Sequence, residues 1–149
     1  MKCCITGTSR GVGKEFFTYF LNKGWEVISF DRSNSIEDIV SLSQDCDLFI
    51  NNAYNKDLQL ELVKRLSDKK MVICGSVVVD YPDDQMPEYT KYKTELEDYF
   101  KQHIDNNMLL LRISGYSYNQ PTVLINAIEF WLANPSVRVI SFVPGEPNR

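Results

Sequence analysis

Thr6-Gly7-Thr8-Ser9-Arg10-Gly11-Val12-Gly13 is the stretch on which the fold of this chain turns. It follows a short apolar run and opens an amphipathic pattern, which marks a strand passing into a helix. Glycines at 7, 11 and 13 remove the side chains that would crowd such a turn. Backbone N–H groups at the positive helix end can then meet a phosphate directly. A second apolar run, Trp25 to Phe30, ends at Asp31, twenty residues after Gly11. A carboxylate at that place can accept both hydroxyls of an adenosine ribose.

Outward from that junction the chain alternates strand and helix patterns with no linker or repeat. Val12, Phe16, Phe17, Phe20 and Leu21 form the apolar stripe of the first helix, which Gly24 closes. Asp47 to Asn51 reads as a strand, and Lys56 to Ser67 as a helix carrying Leu58, Leu62, Val63 and Leu66. Met71 to Ser76 is the next strand. Pro87 can open a helix to about His103, with Tyr92, Leu96, Tyr99 and Phe100 along one face. Met108 to Ile113 is a strand, Pro121 starts a helix with Leu124, Ile125, Ile128, Trp131 and Leu132 inward, and Val137 to Val143 ends the pattern as a strand. Strands so rich in Ile, Val, Leu and Phe are buried on both faces. The expectation is a single α/β domain over residues 1–149, a Rossmann-like, doubly wound and mostly parallel sheet with helices on both faces.

Composition bounds the function. At 149 residues, 44% hydrophobic and 24% charged, the chain can bury one core and has no disordered bias. A net charge of −4 without a basic surface argues against nucleic acid and anionic lipid as partners. No apolar run reaches the ~20 residues that span a bilayer, and no secretory pattern precedes the first strand, so the expected address is the cytoplasm. Cys3, Cys4, Cys46 and Cys74 all fall in or beside strands and read as reduced core thiols. Cys3 and Cys4 point to opposite sheet faces, and no metal site is expected.

Three features carry chemistry. Tyr89 and Lys93 are four apart on a helix pattern, so their side chains leave one face a turn apart. Ser76 ends the preceding strand, at the carboxyl edge where ligands of such sheets bind. A lysine charge favours a phenolate, so Lys93 is expected to draw the Tyr89 phenol down toward the working pH. Tyr89 could then exchange a proton with an alcohol or alkoxide while Ser76 bonds the same oxygen. Asn51-Asn52-Ala53 ends the central strand and shapes the floor beneath a cofactor. Each has a plainer counterpart: a solvated Tyr–Lys pair, a turn-capping serine, an Asn-Asn turn. Tyr92 is a neighbouring phenol with Leu96, not a lysine, one turn on. His103 reads as a helix-end residue complementing the dipole. Coincidence would have to supply all of these in the correct order.

Together these motifs make the chain resemble the short-chain dehydrogenase/reductase family over nearly its whole length. The likeness rests on Thr-Gly-x-x-x-Gly-x-Gly at 6–13, Asp31, Asn-Asn-Ala at 51–53, Ser76 and Tyr-x-x-x-Lys at 89–93. Arg112-Ile113-Ser114-Gly115 is similar to the segment whose backbone meets the nicotinamide amide. The resemblance implies an NAD(P)-dependent oxidoreductase with Tyr89 as acid/base, Lys93 on the nicotinamide ribose and Ser76 on the substrate carbonyl. It implies a cofactor cradle of Gly7, Thr8, Ser9, Arg10, Gly11, Val12 and Gly13, with Asp31 and Arg32 at the adenosine. Asn51, Asn52, Ala53, Ser114 and Gly115 complete the cofactor set.

The chain departs from the family by deletion. The twenty residues between Asp31 and Asn51 are too few for helix, strand and helix, so the family's third strand or a neighbouring helix is expected to be missing. Ile36, Glu37 and Asp38 stand where a remnant of the adenine-contacting segment would fall. The family's catalytic asparagine has no counterpart between Ala53 and Ser76, where Asn55 is the nearest candidate. Tyr116-Ser117-Tyr118-Asn119 is too short for a substrate lid.

Two functions of different class follow: a minimal oxidoreductase acting on a small carbonyl or alcohol, and a dinucleotide-binding sensor or partner subunit that has lost turnover. A sugar-nucleotide epimerase or dehydratase is a related option, though the chain leaves no room for a sugar-binding domain. For the cofactor, NAD or NADP, Asp31 favours NAD whereas Arg10 and Arg32 favour the 2′-phosphate of NADP. The balance falls to NAD, since an arginine can swing away and a short aspartate cannot. The family resemblance allows a homodimer through the helices at 56–67 and 87–103, with Tyr92, Tyr99 and Phe100 as interface material.

Overall fold

In the computed structural model, which describes residues 1–103 and 107–142, the chain opens with strand β1 (Lys2–Thr6) and turns sharply into helix α1 (Gly11–Asn22). Gly7 and Gly11 take positive φ of 76° and 62°, a region that costs side-chain-bearing residues energy and suits glycine. Gly13 serves packing instead. A Cβ on it would run into the Gly7 carbonyl oxygen and stand 2.6 Å from Asn52 Nδ2, so only glycine lets the helix sit down on the loop.

The later elements are β2 (Glu26–Phe30), α2 (Ile36–Leu42), β3 (Leu48–Asn51), α3 (Leu58–Arg65), β4 (Met71–Ser76), a 3-10 turn (Val77–Val79), α4 (Pro87–Gln102), β5 (Met108–Ile113), α5 (Gly115–Tyr118), α6 (Pro121–Ala133) and β6 (Val139–Ser141). The strands form one sheet in the order β2-β1-β3-β4-β5-β6, parallel throughout. This is the Rossmann-like doubly wound arrangement expected. The common order of such sheets is 3-2-1-4-5-6, and β2 here lies at the edge where a further strand would stand outside it. The single helix α2 joins β2 directly to β3, so the third strand of that order and one of the two helices flanking it are missing.

The alternation of Cys3 and Cys4 across the sheet holds. Cys3 packs with Phe16, Phe20, Leu124, Ile128 and Trp131 on the α1 and α6 side. Cys4 packs with Ile39, Leu62, Leu66, Leu96 and Phe100 on the α2, α3 and α4 side. All four cysteines are buried and free, and burial pushes the Cys3 and Cys74 thiols up. Among the described residues no cluster of three metal-ligating side chains occurs, and no helix is long and apolar enough to cross a membrane.

Two expectations need correction. Leu21 belongs to the sequence stripe of α1 but is half exposed, because the inward face is set by Val12, Phe16 and Phe20. On α4 the buried face is Lys93, Leu96, Glu97 and Phe100, rotated from the expected one so that Tyr92 and Tyr99 are only partly covered. Phe100 is packed inside the chain's own core. The last strand is shorter than its pattern, and Val143 lies outside the described residues.

Candidate functional site

The order in which strands are added reverses between β1 and β3, and a cleft outside the carboxyl ends of the strands is the usual consequence. Thr6 ties the two strand ends together: its Oγ1 accepts the backbone N–H groups of Asn52 and Ala53, both at 3.0 Å. Asn52 Nδ2 in turn donates to the carbonyls of Thr6 at 3.2 Å and Gly7 at 3.3 Å. The cleft that opens there has a volume of about 1390 Å³. That exceeds the ~300–1,000 Å³ of an ordinary small-molecule site and suits an extended ligand.

Of the residues the sequence nominated, Gly7, Ser9, Arg10, Asp31, Arg32, Asn52, Ala53, Tyr89 and Lys93 line this cleft. Gly11 and Val12 line a smaller pocket beside it, and Tyr118 faces both. Thr8 and Gly13 belong to the turn itself. Arg10 caps α1 through its backbone only, and the first helical turn carries no acidic side chain, so its N–H groups point out without a side-chain partner. The tight turn, the open N–H groups and the glycine that no Cβ could replace fit a pyrophosphate.

At the other end stand the proton-transfer candidates. Ser76 Oγ accepts the Val78 N–H at 3.1 Å, capping the 3-10 turn, and lies beside the Tyr89 phenol. Tyr89 packs edge-on against Tyr54, ring centroids 4.9 Å apart. Lys93 rises from the next turn of α4 and is only 4% exposed. Its Nζ donates to Gln59 Oε1 at 2.6 Å and to the Cys74 carbonyl at 2.8 Å. It lies 5.4 Å from the centre of the Tyr89 ring and 5.8 Å from that of Tyr54. Burial brings the Lys93 ammonium down to about 8. Burial also pushes the Tyr89 phenol above its ordinary value, with the Ser76 hydroxyl pulling the other way. The expected lowering of Tyr89 by Lys93 is therefore not met. The ammonium spends its hydrogen bonds on Gln59 and Cys74 and faces the tyrosine ring.

Sequence reasoning missed Gln59. It sits with Leu62, Val63 and Leu66 on one face of a helix, and a polar residue in such a stripe was the available signal. Asn51, fully buried beneath the cleft, donates through Nδ2 to the Gln59 carbonyl at 2.9 Å. Asn55 lines the cleft, its carbonyl accepting the Leu58 N–H at 3.0 Å. Ser114 is bonded reciprocally to Ser117, N–H to Oγ at 2.9 and 3.1 Å, which locks the single turn of α5. Gly115 begins that turn. From its end Tyr118 reaches across to α1, where a Cβ on Gly11 would meet its hydroxyl and come within 3.0 Å of Cζ.

Past the end of β2, Asp31 Oδ1 accepts both the Ser33 N–H at 2.8 Å and the Ser33 hydroxyl at 2.6 Å. Those bonds hold the carboxyl below its usual range. Glu37 is directed elsewhere, in a two-pronged pair with Arg65 at 2.9 and 2.8 Å. Ile36 and Ile39 add apolar wall. Beyond the cleft, Arg112 links Glu97 at 2.7 Å and Asp80 at 2.8 Å, fastening the segment after Ser76 to α4 and β5.

Solved structures with this architecture include short-chain dehydrogenases/reductases. A 3-alpha-hydroxysteroid dehydrogenase from a Pseudomonas species, complexed with NADH, superposes with a TM-score of 0.78 over 99% of this chain and 96% of that one, at 15% identity. A short-chain dehydrogenase/reductase from Vibrio parahaemolyticus gives 0.72 at 15% identity, over 97% of this chain and all of that one. A UDP-N-acetylglucosamine 4-epimerase from Bacillus cereus gives 0.67 at 14%, over 99% and 80%. No family model and no curated protein matches the sequence. The fold of this chain is that of the short-chain dehydrogenase/reductase structures.

Proposed function

We propose that the chain is a minimal NAD(P)-dependent oxidoreductase that reduces a small carbonyl compound or oxidises the matching alcohol. One observation carries the reading: Tyr89 and the buried Lys93 stand at the head of a cleft whose far end is a glycine turn with open N–H groups. A binder alone has no use for a phenol and an ammonium brought together under a sheet edge. The structures it resembles include dehydrogenases solved with NADH, which supports a nicotinamide as the bound group.

In this reading the glycine turn holds the pyrophosphate, Asp31 the adenosine ribose, and Lys93, through its remaining N–H, the second ribose. A nicotinamide bound there supplies the hydride that a carbonyl carbon takes up. Tyr89 gives its proton to the carbonyl oxygen, and Ser76 donates a hydrogen bond to the same oxygen. Burial pushes the Tyr89 phenol up, so the side chain carries the proton that reduction consumes. The phenolate that remains is met by the Lys93 charge until solvent restores the proton. Asp31 favours NAD over NADP, since a 2′-phosphate would bring a second negative charge against it. The protein works as a soluble cytoplasmic enzyme and as a homodimer.

A non-catalytic dinucleotide sensor is the second reading, favoured by the single turn of α5, which among the described residues leaves the mouth of the cleft without a lid. Turnover separates the two. NADH and NADPH consumption is followed against a panel of aldehydes, ketones and sugars, with Tyr89→Phe alongside. Consumption that depends on Tyr89 supports the enzyme; binding without consumption on any substrate supports the sensor.

A further inference from the structure

We propose that Gln59 is the positioning residue of Lys93: its carboxamide, clamped by the Asn51 and Cys74 carbonyls, fixes where the ammonium stands beneath Tyr89. The inference deepens the proposed oxidoreductase by naming what holds its lysine.

The clamp begins with strand lengths. β3 stops at Asn51, opposite Ile73, whereas β4 runs on to Ser76. Past Ile73, β4 has no neighbour on the β3 side, and its Cys74 carbonyl is left to find a donor there. Gln59 supplies one. Its Nε2 donates to the Asn51 carbonyl at 2.9 Å and to the Cys74 carbonyl at 2.9 Å. Both amide N–H groups are thereby used, and the orientation of the carboxamide is forced. Turned over, its oxygen would face two carbonyl oxygens. Only Oε1 remains, and it points at Lys93 Nζ, 2.6 Å away.

The acceptor is neutral, and that matters. Gln59 is 3% exposed and Lys93 4%, so neither side chain has much help from water. The titratable groups facing the ammonium are the Cys74 thiol from β4, Tyr54 from the segment after β3, and Tyr89 from α4. Among the described residues none is a carboxylate. A glutamate at position 59 would neutralise Lys93 by an ion pair, and an apolar residue would leave it with the Cys74 carbonyl alone. A glutamine fixes the ammonium through a dipole and leaves its charge uncompensated, available to a phenolate above it.

Lysine side-chain NMR with cofactor titration tests this, the Lys93 signal being identified by its loss in Lys93→Met. In the unmodified protein the Gln59 carboxamide signals should titrate with the same midpoint as Lys93. In Gln59→Met that midpoint should fall by about one pH unit or more, and in Gln59→Glu it should rise by about as much. NADH affinity at neutral pH should weaken about tenfold in Gln59→Met. Opposite shifts are a signature that a residue serving only to pack α3 would not produce. A Gln59 carboxamide indifferent to pH in the unmodified protein overturns the proposal without any variant. So does a Lys93 midpoint unmoved in the two substituted proteins. If the unmodified protein binds no NADH, the oxidoreductase reading falls, while the Lys93 and Gln59 titrations still decide the positioning role.

Discussion

At one end of the cleft Lys93 is held by a buried carboxamide and a strand-end carbonyl, under two packed tyrosine rings. At the other, Asp31 stands in solvent, kept in place by a serine two residues on, with Arg32 exposed beside it. The first end draws on residues from three separate elements and the segment between them; the second is a strand terminus and its own turn. Buried polar networks are costly unless complete, so the first end tolerates little change. An exposed turn can trade contacts with water at small cost. On the proposed reading, the contrast implies chemistry fixed by the core and a choice of cofactor adjustable from the surface.

The sharpest way to break that contrast is at the buried end. Tyr89→Phe should lower turnover by about 10²–10⁴-fold and leave cofactor affinity within about twofold, since it removes a proton donor and little else. Tyr92→Phe, on a partly covered face of α4, should leave both nearly unchanged. Equal losses from the two tyrosines, in steady-state assays, would place the proton donor elsewhere. Gly13→Val should abolish dinucleotide binding and also reduce stability by about 1–3 kcal/mol or more, because the side chain collides with backbone rather than with a mobile side chain. Calorimetry and chemical denaturation measure the two losses separately.

Lys93 gives a prediction in pH. Its folded-state value of about 8 lies below that of an unfolded lysine, so the folded chain sheds the proton first as pH rises. Stability referred to a Lys93→Met protein should therefore increase between about pH 8 and 10.5, by roughly 2–3 kcal/mol, and be level below that window. The raised Cys3 thiol, on the other face of the sheet, acts in the opposite sense in both proteins and cancels in the comparison, whereas Cys74 and Tyr89 face Lys93 and enter the difference. A flat difference across the window, from urea unfolding, would mean that Lys93 is solvated. At the exposed end the effect is smaller. Asp31→Ala should weaken NADH and strengthen NADPH by about tenfold or less each, with no change in fold stability beyond about 0.5 kcal/mol. An unmodified protein that already prefers NADPH would show Arg10 and Arg32 outweighing Asp31.

Much of the architecture was legible because its signals are local. The glycine turn, the strand patterns and Pro87 and Pro121 at helix starts each depend on neighbours in sequence. The deletion after β2 was legible from length alone, and the structure shows that it removed a strand and one flanking helix. What escaped were consequences of register. Lys93 and Glu97 occupy buried positions of α4 that an apolar stripe assigns to Tyr92 and Tyr99, because their partners, Gln59 and Arg112, lie on other elements. Gln59 gave no signal beyond its place in an apolar stripe, because the Cys74 carbonyl it meets is left open only by the early end of β3. The one-turn α5 escaped as well, since its stability rests on two serine hydroxyls rather than on periodicity.

The central claim is that the cleft takes a nicotinamide dinucleotide. Titration of the unmodified protein with NADH and NADPH, followed by calorimetry, measures it most directly. The account predicts saturable binding of one dinucleotide per chain, tighter for NADH and lost in Gly13→Val. No heat and no saturation with either dinucleotide up to millimolar concentration, from a folded protein, would contradict it.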